Sequence, residues 1–178
     1  MKKSIQRERF NRTADAIEAN PEQFDYSSWG DLVDGEGNHE RSLIFGNQIK
    51  DVIDSGVLKC GFVGCIGGWA AHTAIQDEDF QPKHPWSAYS IAALGSEYLG
   101  LRPFEAHDLF LGDAMKTAGL YPQEMDSDEL LETATGADAA KLLRMVADGE
   151  VMLSDSDPGF DFTDYEPDEE VKHVDSDD

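Results

Sequence analysis

The residues most capable of chemistry lie in one run: Cys60-Gly61-Phe62-Val63-Gly64-Cys65-Ile66-Gly67-Gly68-Trp69-Ala70-Ala71-His72. Four readings compete for it. In the first, Cys65 sits at a helix start, where the dipole favours a thiolate, and acts as a nucleophile with an imidazole as base. His72 is seven residues on, on the same helical face but ~10 Å further along the axis. The base of such a thiol-dependent hydrolase or transferase would therefore be His84 or His107, brought in by the fold. In the second, Cys60 and Cys65 ligate a metal, completed by His39, His72, His84, His107 or His173. The four-residue spacer is looser than the usual zinc knuckle, and no second cysteine pair follows. In the third, Gly61, Gly64, Gly67 and Gly68 cradle a phosphate, but no Gly-Lys-Ser/Thr follows.

The fourth reading is structural and leads the others. Gly64 and Gly68 share a helical face and let backbones approach closely, at ~1 kcal/mol each inside a helix. Cys60 and Cys65 then behave as small apolar residues, and Trp69 is a core anchor whose N–H needs one partner. On this reading Cys60, Gly64, Cys65, Gly68 and Trp69 form a structural motif. No catalytic residue, metal or cofactor is expected.

The arrangement Cys60-x4-Cys65-Ile-Gly-Gly-Trp69-Ala resembles the C-G-T-x-x-C-x-A-G-W-A signature of small uncharacterised helical proteins of phages and bacteria. Ala92-Ala93-Leu94 to Leu99-Gly100-Leu101, then Glu105-Ala106 to Leu109-Phe110, resemble the block that follows it. The resemblance covers residues 4–111 and departs at Phe62, where the pattern has Thr, and at Gly67, where it has Ala. It carries no activity. It implies a helical fold and a phage or bacterial origin.

These residues must be positioned by about eight short elements. Phe10, Ala14 and Ile17 recur at helical spacing and predict a helix over 4–19, stopped by Asn20-Pro21. Residues 21–39 are polar, with a turn at Asp34-Gly35, and Phe24, Tyr26, Trp29 and Leu32 pin them to the core. Leu43, Phe45, Ile49, Val52 and Ile53 predict a helix over 40–55, closed by Gly56. Residues 60–76 carry no charge and read as a buried helix from near Phe62; they are short for a membrane span and rich in glycine. Further helices are expected over 86–98, over 103–111 with Pro103 in its first turn, over 127–134 capped by Asp126, and over 136–148. No alternating run is long enough to predict a strand. The fold class expected is all-α: a compact orthogonal helical bundle over 1–148, with an acidic, flexible tail over 149–178.

Charge separates the two parts. The 178 residues include 37 Asp or Glu and 14 Lys or Arg, a net charge of -23. Residues 1–59 hold 11 acids and 8 bases, residues 60–120 hold 7 and 3, and residues 121–178 hold 19 and 3. The acid is therefore a property of the end of the chain rather than of its whole surface. Such a balance excludes general binding to nucleic acid and to anionic membranes, both of which need clustered Lys and Arg. Two cysteines make no disulfide framework, and polar Gln6 to Arg12 leave no apolar stretch for a signal peptide, so a cytoplasmic location is expected. Phe160, Phe162 and Tyr165 stand among the tail's acids, where a purely solvating tail has no use for aromatics. The expected partner is a host protein with a basic surface, gripped by Phe160, Asp161, Phe162, Asp164, Tyr165 and Glu166. A virion or scaffold component is a further alternative.

Overall fold

The computed structural model describes residues 3–33, 39–43, 45–54 and 62–154, with the side chains of Val33, His39, Arg41 and Val52 left aside. The chain folds as the expected helical bundle, with one small sheet laid beside it. Helix α1 (Lys3–Glu18) buries Phe10, Thr13, Ala14 and Ile17. It packs mainly on the last helix, α8 (Gly136–Asp148), whose Ala139, Ala140, Leu142 and Leu143 are buried. Among the described residues, the first and last helices thus form the broadest helix pair. Arg144 on α8 reaches both Asp15 and Glu18 on α1, at 2.7 and 2.8 Å.

Two expectations for the middle of the chain are corrected. The helix expected over 40–55 is split: residues 39–42 form strand β2 (His39–Ser42), and helix α2 (Gly46–Asp54) starts only afterwards. β2 pairs antiparallel with β1 (Asp31–Val33), which pairs on its other side with β3 (Phe62–Val63), giving the order β2-β1-β3. The helix expected from Phe62 therefore begins later, as α3 (Ile66–Gln76). The physical reason is shared. The backbone groups of β1 need partners on both edges, and 39–42 and 62–63 supply them whatever their side-chain period. The turn expected at Asp34-Gly35 and the stop at Gly56 lie outside the described residues.

The second half follows its capping signals closely. Trp86 to Ala88 form one 3-10 turn, and helix α4 (Ile91–Leu99) then starts at Ser90, whose Oγ accepts the Ala93 amide at 3.2 Å. The helix expected from Trp86 is shortened because this cap fixes an extended residue at its start. Gly100, with φ 68°, ends α4 in the left-handed conformation that glycine adopts without strain. Helix α5 (Pro103–Phe110) carries proline in its first turn. Helix α6 (Asp113–Thr117), not expected from the sequence, follows, and then α7 (Ser127–Thr133), capped by Asp126, whose carboxylate accepts the Asp128 amide at 2.9 Å. Thr135 and Asp138 cap α8 reciprocally.

Trp69, Tyr98, Phe10, Phe62 and Phe110 are the largest side chains fully enclosed by this arrangement. Among the described residues, no helix is long and apolar enough to cross a membrane.

α3 sits at the centre, with every residue from Ile66 to Ala74 buried. Its first turn touches backbone on two sides. A Cβ placed on Gly68 would lie 2.0 Å from the Trp29 carbonyl oxygen, and one on Gly95 of α4 would lie 2.6 Å from the Gly67 carbonyl oxygen. Backbone cannot swing aside as a side chain can. Gly68→Ala and Gly95→Ala are therefore expected to destabilise the fold by at least ~1–3 kcal/mol. Gly67→Ala meets movable ring atoms of Trp29 and Phe110 first and should cost less. Urea midpoints of the three variants check the order.

Candidate interaction surface

From Phe62 on, the Cys-Gly-Trp run is built into the core. The segment before β1 wraps the start of α3 through backbone hydrogen bonds: the Gly64 amide donates to the Gln23 carbonyl (3.1 Å), Asp25 to Gly64 (3.2 Å) and Cys65 to Ser28 (2.6 Å). The side chains expected to pin this segment do so: Tyr26 and Leu32 are buried, and Phe24 and Trp29 pack half-buried against the core. The Tyr26 hydroxyl donates to the Leu109 carbonyl at 3.2 Å, and the Trp29 ring stands edge-on to Phe110.

Cys65 is the residue that caps α3, with extended backbone at φ -73° and ψ -176°. Its thiol is 1% exposed. Burial pushes it up to about 11, against smaller lowering contributions from the Gly68 and Gly67 amides. The position at a helix start that would favour a thiolate is thus overruled by desolvation. Trp69 stands one turn on and finds the partner its N–H needs, at 3.4 Å, in the Gln23 carbonyl. Cys60 and Gly61 lie outside the described residues.

His72 is set one further turn along, 7% exposed. Its ring stacks on Phe62 (centroids 5.4 Å apart, 23° between planes) and meets Trp69 edge-on at 5.1 Å. Nε2 faces the Gln76 amide at 3.4 Å, and Nδ1 has no hydrogen-bond partner. An unpartnered buried nitrogen is expensive, and adding charge to it more so. Burial accordingly lowers the His72 pKa to about 4. Of the other imidazoles, His84 is exposed in the loop before α4, with its ring 5.9 Å from Tyr89, and His107 lies half-buried on α5.

One polar cluster escaped the sequence reading. Asp77, closing α3, is almost fully buried. It receives the Arg12 guanidinium at 2.9 Å and the Tyr98 hydroxyl at 3.1 Å, with Arg9 Nε 4.0 Å away. The Arg9 guanidinium lies 4.8 Å from the centres of both the Phe80 and Tyr98 rings and donates to the Tyr98 carbonyl. These residues span 89 positions of sequence, so only the fold could reveal them. The cluster clamps α1 to the α3–α4 pair.

The second feature the sequence did not reveal is a groove of about 690 Å³. It lies where the N-terminal turns of α1, the start of α5 and the end of α8 meet. Its apolar lining includes Phe10, Leu101 and Leu153, and its basic lining Lys3, Arg7 and Arg102. The chain beyond α8 runs along it. Gly149 turns with φ 77°, Val151 is buried, and the Ser154 amide donates to the Asp108 carboxylate at 2.6 Å. Burial raises the Asp108 pKa, although the bond from Ser154 opposes it. Met152, beside this contact, is 83% exposed. The acidic and aromatic residues expected to contact a partner, Phe160, Asp161, Phe162, Asp164, Tyr165 and Glu166, lie outside the described residues, which end at Ser154 on the rim of this groove.

Two outcomes are expected. At pH 7.5, a thiol at about 11 carries ~100-fold less thiolate than an ordinary cysteine near 9. Cys65 in the folded chain should alkylate at least that much more slowly than in urea, as read by peptide mapping that separates it from Cys60. His72 titrates near 6.5 when unfolded and near 4 when folded. The unfolded chain therefore binds the proton first. The stability contributed by neutral His72 is complete above pH ~6.5 and is lost as pH falls towards 4, by about 3 kcal/mol. Urea unfolding across that range should show a one-proton slope, which His72→Phe removes.

In comparisons with protein-family models, curated proteins and solved structures, nothing matches this chain.

Proposed function

We propose that this chain is a non-enzymatic accessory protein, of the phage or mobile-element type, that binds a host protein through its acidic C-terminal segment and modulates or inhibits it. The observation that carries this reading is the division of charge. Residues 155–178 hold 11 acids and one base, Lys172, with Phe160, Phe162 and Tyr165 among them. Acid at that density occupies a surface shaped for nucleic-acid phosphates, and the aromatics give the contact apolar anchors. The target is a protein with a basic surface, such as a nucleic-acid-binding or defence protein. The site of action is the host cytoplasm.

The domain supports this role as a holder. The last described residue, Ser154, is fixed to α5 through Asp108, so the acidic segment leaves from a set place. The rival thiol chemistry loses its motive, because Cys65 is enclosed and its thiol is raised.

Such an interface associates fast and weakens steeply with salt. The test is affinity capture from bacterial lysate with the full chain, with a chain ending at Ser154, and with Phe160→Ala/Phe162→Ala/Tyr165→Ala. The full chain should capture a basic protein at 0.15 M salt and release it as salt rises several-fold. The truncated chain should lose capture, and the aromatic variant should weaken it at least ~10-fold. Undiminished capture by the truncated chain would show the helical domain to be the binding surface.

A further inference from the structure

We infer that the groove between α1, α5 and the end of α8 is a docking site for this chain's own acidic segment, Phe160 to Glu166, in the absence of a partner. Three observations point to that occupant. The first is position. The chain arrives at Ser154 on the groove's rim, held by the Asp108 carboxylate at 2.6 Å. Phe160 is six residues further on, a reach of up to ~20 Å for extended chain. A linker this short holds the segment near the groove at an effective concentration in the millimolar range. A weak contact is then enough to keep it seated.

The second is charge. Residues 1–154 carry 26 acids and 13 bases, a net of -13. The groove reverses that sign: Lys3, Arg7 and Arg102 line it against Glu105 and Asp148. Arg7 is paired with Asp148 and Arg102 with Glu105. Lys3 has no ion-pair partner among the described residues, and its charge remains for a carboxylate such as Asp161 or Asp164.

The third is shape and surface. A volume of about 690 Å³ accommodates two aromatic side chains, and Phe10, Leu101, Val146 and Leu153 give them apolar walls. Met152 stands 83% exposed beside it, an apolar side chain with nothing over it among the described residues. The docked segment would cover it. Docking of this kind makes partner capture a competition: the host protein must draw the segment from the groove. The inference goes beyond the proposed function and stands without it, because it concerns the chain alone.

Hydrogen exchange of the full chain, followed by mass spectrometry without any partner, tests it. At 20 mM salt, amides of 158–167 should exchange at least tenfold slower than their intrinsic rates, and at 0.5 M salt at those rates. Lys3→Glu/Arg7→Glu should restore intrinsic exchange at 20 mM salt, with protection of the α8 core unchanged. Intrinsic exchange of 158–167 in the unaltered chain at 20 mM salt would overturn the inference. So would protection that the double variant leaves in place, which would put the segment elsewhere. Protection lost on hundredfold dilution would overturn it in favour of the segment of a second copy. None of these outcomes bears on capture of a host protein, so the two proposals fail separately.

Discussion

At the start of α3, backbone meets backbone where side chains would ordinarily stand. The Gly68 position leaves no room for a methyl group against the Trp29 carbonyl, and Gly95 leaves none against the Gly67 carbonyl. That double contact decides the rest. It brings the 23–31 segment against the α3 start, where Gly64 and Cys65 exchange hydrogen bonds with it. It sets α4 against α3, and Trp69, Phe62 and Phe110 are fully enclosed in the surrounding core. The cost of two glycines in a helix, ~1 kcal/mol each, is offset by close dispersion contact along the whole seam.

The same constraint gives the chemically suggestive residues their character. A cysteine and a histidine on one helical face look like parts of a catalytic site. Here the helix that bears them is buried on all sides, so desolvation raises the thiol and lowers the imidazole. Both are held neutral at physiological pH. Polar groups gather instead at the end of α3, in the buried Asp77 cluster that ties α1 to α3 and α4, and along the groove whose rim carries Ser154.

Legibility followed the range of the interactions. α1, α5, α7 and α8 could be read because their signals are local: Phe10, Ala14 and Ile17 at helical spacing, Pro103 in a first turn, Asp126 and Thr135 at N-caps. β2 could not, because His39-Glu40-Arg41-Ser42 has no alternating pattern and becomes a strand only through its pairing with β1. The helix expected from near Phe62 takes in this strand residue for the same reason, since its apolar neighbours fit either state and the β1 edge decides. α6, at five residues, is too short to show a period. The structural reading of Gly64, Cys65, Gly68 and Trp69 was accessible from residue type. The unpartnered Nδ1 of His72 and the basic rim formed by Lys3, Arg7 and Arg102 were not, because they depend on which distant segments meet.

Gly64, Cys65, Gly68 and Trp69 serve packing, and recognition is proposed for the acidic segment. Site-specific photocrosslinking separates the two most directly. With benzoylphenylalanine in place of Phe162, the full chain should form a covalent adduct with its captured host protein. The same group at Ala137, an exposed position on α8, should form none. An adduct from Ala137 with none from Phe162 would contradict the account.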